Sequence, residues 1–441
     1  QEMLEFIRIS PTCFHAVANI GRMLEAAGFQ QLQEKEEWKL EKGGRYYTER
    51  NDSSVIAFVI PEKEVGIRGF HMAAAHSDSP CFKIKEKPEL TVEEHYLRLN
   101  TEKYGGMILS TWLDRPLSVA GRLAVKNGNG IEGRLVNIDR DLCVIPNVAI
   151  HMNREMNKGV EYNPQVDLLP LLADVTFDAH DAQTASENAE EQPETVEKPT
   201  LAALAAETAG VDAETILGED LFLYTRQEGK MIGAKGEFVL SPRLDDLQSA
   251  FALTKAFTES TPAEYINLCA VFDNEEVGSG TRQGADSTFL EDTLQRITEG
   301  LQEGHSTYLR WVADSFLISA DNAHAVHPNH PEKADPANRP YLNGGIVIKY
   351  HGSQKIHHRW YFRGKDERIT ANGAKGYLTR PMPTVPTLRG GSTLGNISTA
   401  HVSVSSVDIG LPQLAMHSAV ETAGMKDTEY AVRALKEFWG E

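Results

Sequence analysis

Cysteine is scarce in this chain: Cys13, Cys81, Cys143 and Cys269 stand far apart and form no CxxC pair. That spacing argues against a zinc knuckle or a disulfide framework and reads as reduced thiols of a cytosolic protein. Long apolar runs are missing as well. None approaches the roughly 18 residues that a membrane helix needs, so no membrane span is expected. The opening residues QEMLEFIRIS contain no basic segment leading into an apolar stretch and a small-residue cleavage site. No secretory leader is visible in them, and a cytoplasmic location is expected. Basic charge is in short supply, with 44 Lys and Arg against 63 Asp and Glu and a formal net charge of -19. Nucleic acid requires clustered Lys and Arg and is disfavoured as a partner; a local basic pocket for an acidic ligand is not.

What the chain does contain is enough apolar material for more than one core. Its 441 residues are 41% hydrophobic and 24% charged, the texture of a globular protein of at least two domains. SPTCFHAVANIGRMLEAAGF predicts a first helix, with Ser10 able to cap it, Pro11 suited to its first turn and Gly28 able to end it. SVIAFVI and FHMAAAHSD predict strands of a buried sheet. Between about 85 and 228 the pattern changes to short alternating runs with turn glycines and an Asn-Gly pair, the chemistry of antiparallel hairpins. Within this region DAHDAQTASENAEEQPETVEKPT is acidic and poor in large apolar residues, and reads as a surface excursion. Helices and strands then alternate from LSPRLDDLQSAFALTKAF and YINLCAVFDN to a last helix in EYAVRALKEFW. The expected organisation is an α/β domain formed by residues 1–84 and 229–441, interrupted by a β-rich domain at 85–228.

Five segments place Asp, Glu or His where a predicted strand ends: His76 and Asp78 in AAAHSDSP, Asp245 in SPRLDDLQS, Glu275 and Glu276 in VFDNEEVGS, Asp321 in LISADNAH, and His417 in QLAMHSAVET. Open α/β sheets gather ligands at the carboxyl ends of their strands, so these residues are candidates to converge. Imidazole nitrogen with carboxylate oxygen and no thiolate suits zinc in an open catalytic site, and manganese or cobalt also fit. Two metals about 3.5–4 Å apart need a shared ligand, which a carboxylate can be and a single imidazole nitrogen cannot. Each residue also has a structural reading. His76 and His417 fit satisfied core histidines, Asp245 and Asp246 fit helix caps, Asp321 fits a turn, and the paired glutamates fit a helix start.

Order and context carry the reading further. SPTCFHAV, GGRYYTERNDSSVIAFVI, HSDSPCFKIK, LSPRLDDL, DNEEVGSG, SADNAHAVHPNH, GGSTLGNIS and VDIGLPQLAMHSAVETAG together resemble the M18 aspartyl aminopeptidase family of dinuclear metallopeptidases. The likeness runs nearly end to end. It implies a dinuclear-zinc aminopeptidase-like fold, a central mixed sheet flanked by helices, with the inserted domain serving for dimerisation and as a lid. It also implies a tetrahedral homo-dodecamer built from dimers, acting on peptides with a free N-terminus.

By the same resemblance, two divalent ions per chain, zinc first and cobalt or manganese otherwise, are held by His76, Asp245, Glu276, Asp321 and His417, with Asp245 bridging. Asp246 supports the site or caps the helix. Asp78 orients the His76 ring, and Glu275 is left free to take a proton from the attacking water and pass it to the leaving amine. Neighbouring side chains on an extended strand point to opposite sides, so the backbone is expected to turn here, with Gly278 and Gly280 allowing it. His151 matches a histidine that reaches a neighbouring subunit's site and steadies the oxyanion. Lys349 matches the residue that meets an acidic N-terminal side chain, and His324 is assigned to the substrate pocket or a subunit contact. In HAVHPNH, prolines interrupt any helix, so no separate metal site is expected there. Residues 351–389 depart from the family pattern. That departure keeps open a broad or neutral-residue aminopeptidase of the same fold, and a catalytically silent assembly protein is the further alternative.

Overall fold

The computed structural model describes residues 1–62, 66–177, 200–350, 379–383, 397–398 and 400–440. The acidic excursion from residue 178 to 199 and most of the divergent 351–389 stretch lie outside the described residues. The chain divides into two compact units, one made of Gln1–Ser79 with Glu228–Glu441 and the other of Pro80–Gln227.

In the first unit, four strands lie parallel at the middle of a nine-stranded sheet, the first three of them built on near-continuous apolar runs. They are Tyr265–Phe272, Gly69–His76, Phe316–Ala320 and Ser405–Gly410, in that spatial order. Such runs suit strands covered on both faces. Successive side chains enter opposite cores: Ala73 and Ala75 join Cys269 and Val271 on one face, while Phe70, Met72 and Ala74 join Leu268 and Ala270 on the other. Helices Glu2–Arg8, Cys13–Ala26, Leu244–Thr258 and Asp427–Trp439 supply apolar residues to the first face. Phe289–Gly300 and His305–Ala313 supply the second. The expected α/β class, a mixed sheet flanked by helices, is what the chain adopts.

The helix expected in SPTCFHAVANIGRMLEAAGF is the second of the chain, after Glu2–Arg8, and it begins later than its sequence suggests, at Cys13. Thr12 precedes its first turn, and Ser10 does not cap it, because the Ser10 hydroxyl receives Asn19 Nδ2 at 3.0 Å. A smaller five-stranded sheet joins Lys230–Ile232, Phe238–Ser241, Glu421–Gly424, Pro412–Leu414 and Ala323–His324. It brings the residues that follow Asp321 beside those that flank His417.

The second unit is an antiparallel six-stranded sheet, in the order Gly130–Asn137, Leu117–Asn127, Ile216–Thr225, Cys81–Val92, Tyr96–Tyr104 and Leu171–Asp174. Its tightest hairpin turns at Gly128, whose φ of 58° suits the Asn-Gly signal. Cys143 and Cys269 are buried thiols.

Candidate metal centre

Two strand ends stand level because Phe272 pairs with His76 in parallel register. Asp321 directly follows Phe316–Ala320, and Asp245 lies in the first turn of Leu244–Thr258 with non-helical backbone angles. Arg243, not an aspartate, occupies the position before that helix, so Asp245 does not serve as its cap. His417 sits on the loop between Pro412–Leu414 and Glu421–Gly424 with φ of 65°.

The paired glutamates occupy a single tight turn, Glu275–Val277. The backbone bends at Asn274 (φ 64°) before the pair and at Gly278 (φ 97°) after it. Gly280 is not needed for the bend, because its φ is not positive and a side chain there would make only ordinary contact. Asn274 reaches its left-handed conformation with help from its side chain, whose oxygen accepts from Thr281 Oγ1 at 2.7 Å and Gln283 Nε2 at 2.8 Å. Asp78 then fixes the pair. Its Oδ1 accepts the Glu275 amide at 3.1 Å and its Oδ2 the Glu276 amide at 3.2 Å.

The side chains converge around Asp245, which is 2% exposed. Its Oδ1 lies 3.6 Å from His76 Nε2, and its Oδ2 lies 3.3 Å from His417 Nε2. Asp321 Oδ1 is 3.9 Å from the same His76 nitrogen, and Glu276 Oε1 is 3.3 Å from the His417 nitrogen. Ligand atoms of His76, Asp245, Asp246 and Asp321 all lie within 4.8 Å of one another, as do those of Asp245, Glu276 and His417. A third such group joins His76, Glu275 and Glu276. His76 Nδ1 faces Asp78, 3.1 Å from its carbonyl oxygen and 3.3 Å from Oδ1.

This cluster is rich in carboxylates for its depth. Asp245 Oδ1 and Asp246 Oδ1 are buried and receive no hydrogen bond among the described residues, and Glu276 Oε1 faces the His417 nitrogen. Burial, reinforced by Asp321, Glu276 and Asp78, raises Glu275 to about 8, and burial raises Glu276 to about 7. Burial alone would lower His417, but Asp245 and Glu276 override it and carry the imidazole up to about 11. His76 moves the same way against its burial, driven by Asp245, Asp321 and Asp78. Asp245, against its burial, is held far below the carboxylate range by His417 and His76. Crowded buried oxygens of this kind demand positive charge, and protons supply it where a cation does not.

The sequence profile of the family described as aminopeptidase I zinc metalloprotease (M18) matches residues 6–439. The chain belongs to the M18 family. It is a metallo-aminopeptidase, and its cluster of imidazole and carboxylate groups is suited to divalent metal. A probable M18 family aminopeptidase 2 from Clostridium novyi (strain NT) is 44% identical over 99% of this chain and 98% of its own. Among solved structures, one of the Ape4 and Nbr1 complex superposes with a TM-score of 0.90 at 35% identity, covering 99% of this chain and 84% of that one. Another, of the S. cerevisiae mApe1 dodecamer, gives 0.81 at 25% identity and covers 99% and 95%.

Three further residues singled out in the M18 sequence pattern lie in different settings. Lys349, on strand Val347–Tyr350, is buried with Nζ 3.2 Å from Asp321 Oδ2. His324, on Ala323–His324, and His151, in a turn of the second unit, are both exposed. One residue of the M18 centre escaped sequence reasoning. Glu421 is buried and accepts the main-chain N–H groups of both Asp245 and His417. Its only signal was an acidic residue in an otherwise buried short strand, four positions after His417.

Proposed function

We propose that this M18 aminopeptidase holds two divalent ions, zinc first, and removes Asp or Glu from the N-terminus of peptides. The observation that carries this is the division of Asp245, whose oxygens face different histidines. His76 and Asp321 stand on one side of it, and Glu276 and His417 on the other. The buried carboxylate oxygens without donors fit cations better than any neutral packing. Bound there, the ions supply Lewis acidity that polarises the scissile carbonyl and acidifies water.

The chain's own groups do the rest. Glu275 is the carboxylate left over once Glu276 is committed to the cluster. It takes a proton from water and returns it to the leaving amine, and its upward shift supports that proton-carrying task. Asp78 keeps Glu275 and Glu276 apart in role by holding each main-chain amide with a different oxygen. Lys349 brings a buried ammonium to the Asp321 edge of the site, where an acidic substrate side chain would pair with it.

The assembly reading is a homo-dodecamer in which the unit from Pro80 to Gln227 pairs subunits and His151 serves a neighbour. Its support is the exposed loop that carries His151, where Val148, Ile150 and Met152 are 52%, 45% and 81% exposed. A second reading, a broad or neutral-residue aminopeptidase, draws on the same Lys349 contact, since Asp321 already answers the ammonium charge.

Metal analysis together with a panel of aminoacyl-nitroanilides tests the proposal. Two ions per chain and faster release from Asp and Glu than from Leu are expected. Full activity with one ion would refute the dinuclear centre, and faster release from Leu would refute the acidic preference.

A further inference from the structure

Glu421 opens the strand Glu421–Gly424 and is 2% exposed. Its Oε2 accepts the main-chain N–H of Asp245 at 3.0 Å, and its Oε1 accepts that of His417 at 2.7 Å. Those amides belong to different elements, a helix start and a loop. Oε1 also receives Gln413 Nε2 at 3.4 Å, and Gln413 Oε1 in turn receives Asn322 Nδ2 at 2.9 Å. Asn322 Nδ2 reaches the carbonyl of Leu244 as well, at 2.8 Å. Asn322, Gln413 and Glu421 are all buried, so this is an interior polar chain. It ties together the residue after Asp321, the residue before Asp245, and the amides of Asp245 and His417.

Only a carboxylate fits its end. Two N–H groups point at one side chain, and a glutamine would oppose one of them with its own NH2. The loop also needs holding, because Ala415 and His417 have φ of 57° and 65°, a region that residues with side chains enter sparingly. Glu421 is not among the groups of converging ligand atoms, so it acts through its neighbours.

We propose that Glu421 is a positioning residue for the metal centre, fixing Asp245 and His417 relative to each other through their amides so that Asp245 Oδ2 and His417 Nε2 stay within reach of one ion. This rests on the two-metal reading above. It assigns to Glu421 neither a ligand bond nor a proton transfer.

The test uses the full chain as wild type, Glu421→Gln, Glu421→Asp and His417→Ala. Each is stripped of metal, titrated with Zn2+ against a chromophoric chelator, and titrated with Co2+ by visible absorption. Melting is followed with and without metal. Glu421→Gln is expected to weaken metal affinity about 10- to 100-fold, to alter the Co2+ spectrum and to shrink the rise in Tm on metal binding. A purely structural role would lower both melting temperatures together and leave affinity and spectrum as in wild type, and that result overturns the proposal. If Glu421→Gln does not fold, Glu421→Asp carries the same readouts, since it keeps the charge but is too short to reach both amides. Wild-type affinity and spectrum in it overturn the proposal too. His417→Ala separates the two levels of inference. If it binds as many ions as wild type, the two-metal reading itself fails; if it loses metal while Glu421→Gln does not, only the role of Glu421 fails.

Discussion

Asp78→Asn replaces one carboxylate oxygen by an NH2 at a point where three donors converge. In the native chain Oδ1 and Oδ2 accept the Glu275 and Glu276 amides at 3.1 and 3.2 Å, and Oδ1 lies 3.3 Å from His76 Nδ1. The asparagine keeps a single acceptor, and however it is turned its NH2 faces a main-chain N–H. Loss of one hydrogen bond to a charged acceptor removes about 1.5–3 kcal/mol, and a buried donor left unpaired adds about 1–3 kcal/mol. With partial relaxation the expected destabilisation is roughly 3–5 kcal/mol, or about 3–5 °C in Tm at roughly 1 °C per kcal/mol for a chain of this length. The turn carrying Glu275 also loses one of its two anchors. A displacement of about 1 Å in a group that moves protons lowers kcat on the order of 100-fold, with KM changed far less. Scanning calorimetry and nitroanilide hydrolysis measure the two effects on one preparation. A variant that melts within about 2 °C of wild type and keeps kcat within about two-fold would refute the claim that Asp78 holds the glutamate pair.

Glu275→Gln is expected to lower kcat by about 100- to 10,000-fold while metal content stays at the wild-type level; loss of metal would reassign Glu275 as a ligand. Removing metal should make stability strongly dependent on pH. Glu276 and Glu275 are raised to about 7 and about 8, above their unfolded value near 4.5, so the stability they lend the metal-free chain is full below about pH 4.5 and is lost as pH rises through 7 to 8. His417, raised to about 11, works in the same direction over a higher range. Metal binds the deprotonated groups, so the gap in Tm between loaded and stripped protein should widen from pH 6 to 8, and a constant gap would contradict this. Lys349→Met is expected to cut kcat/KM for Asp substrates by about 10- to 100-fold relative to Leu substrates; an unchanged ratio would remove Lys349 from substrate recognition.

The parts of this centre that sequence reveals are those attached to strong periodic signals. His76 ends a fully buried strand, Glu275 and Glu276 follow another, and Asp321 follows a third, so each is marked by an apolar run that stops. Gly28, with φ of 84°, likewise stands where the helix Cys13–Ala26 gives way, because glycine tolerates that conformation. Other features leave no such trace. Asn274 bends the chain using its own side chain, a task that sequence more readily assigns to the nearby glycines. The smaller sheet is built from strands of two to four residues, too short for any period to register. Glu421 is hardest to read of all, because its partner Asp245 is remote in sequence and the contact is to main chain, which carries no residue identity.

Ser79 donates its hydroxyl to the carbonyl oxygen of Asp245 at 2.8 Å. The chain departs immediately afterwards, at Pro80, and does not rejoin the first unit until Glu228. The last residue before that detour is therefore tied to the helix start that carries Asp245, by a contact made entirely within the first unit. Closing a chain loop becomes harder only with the logarithm of its length, about 0.6 kcal/mol for each doubling. The entropic cost of bringing His76 and Asp245 together is thus only weakly sensitive to how much polypeptide runs between them.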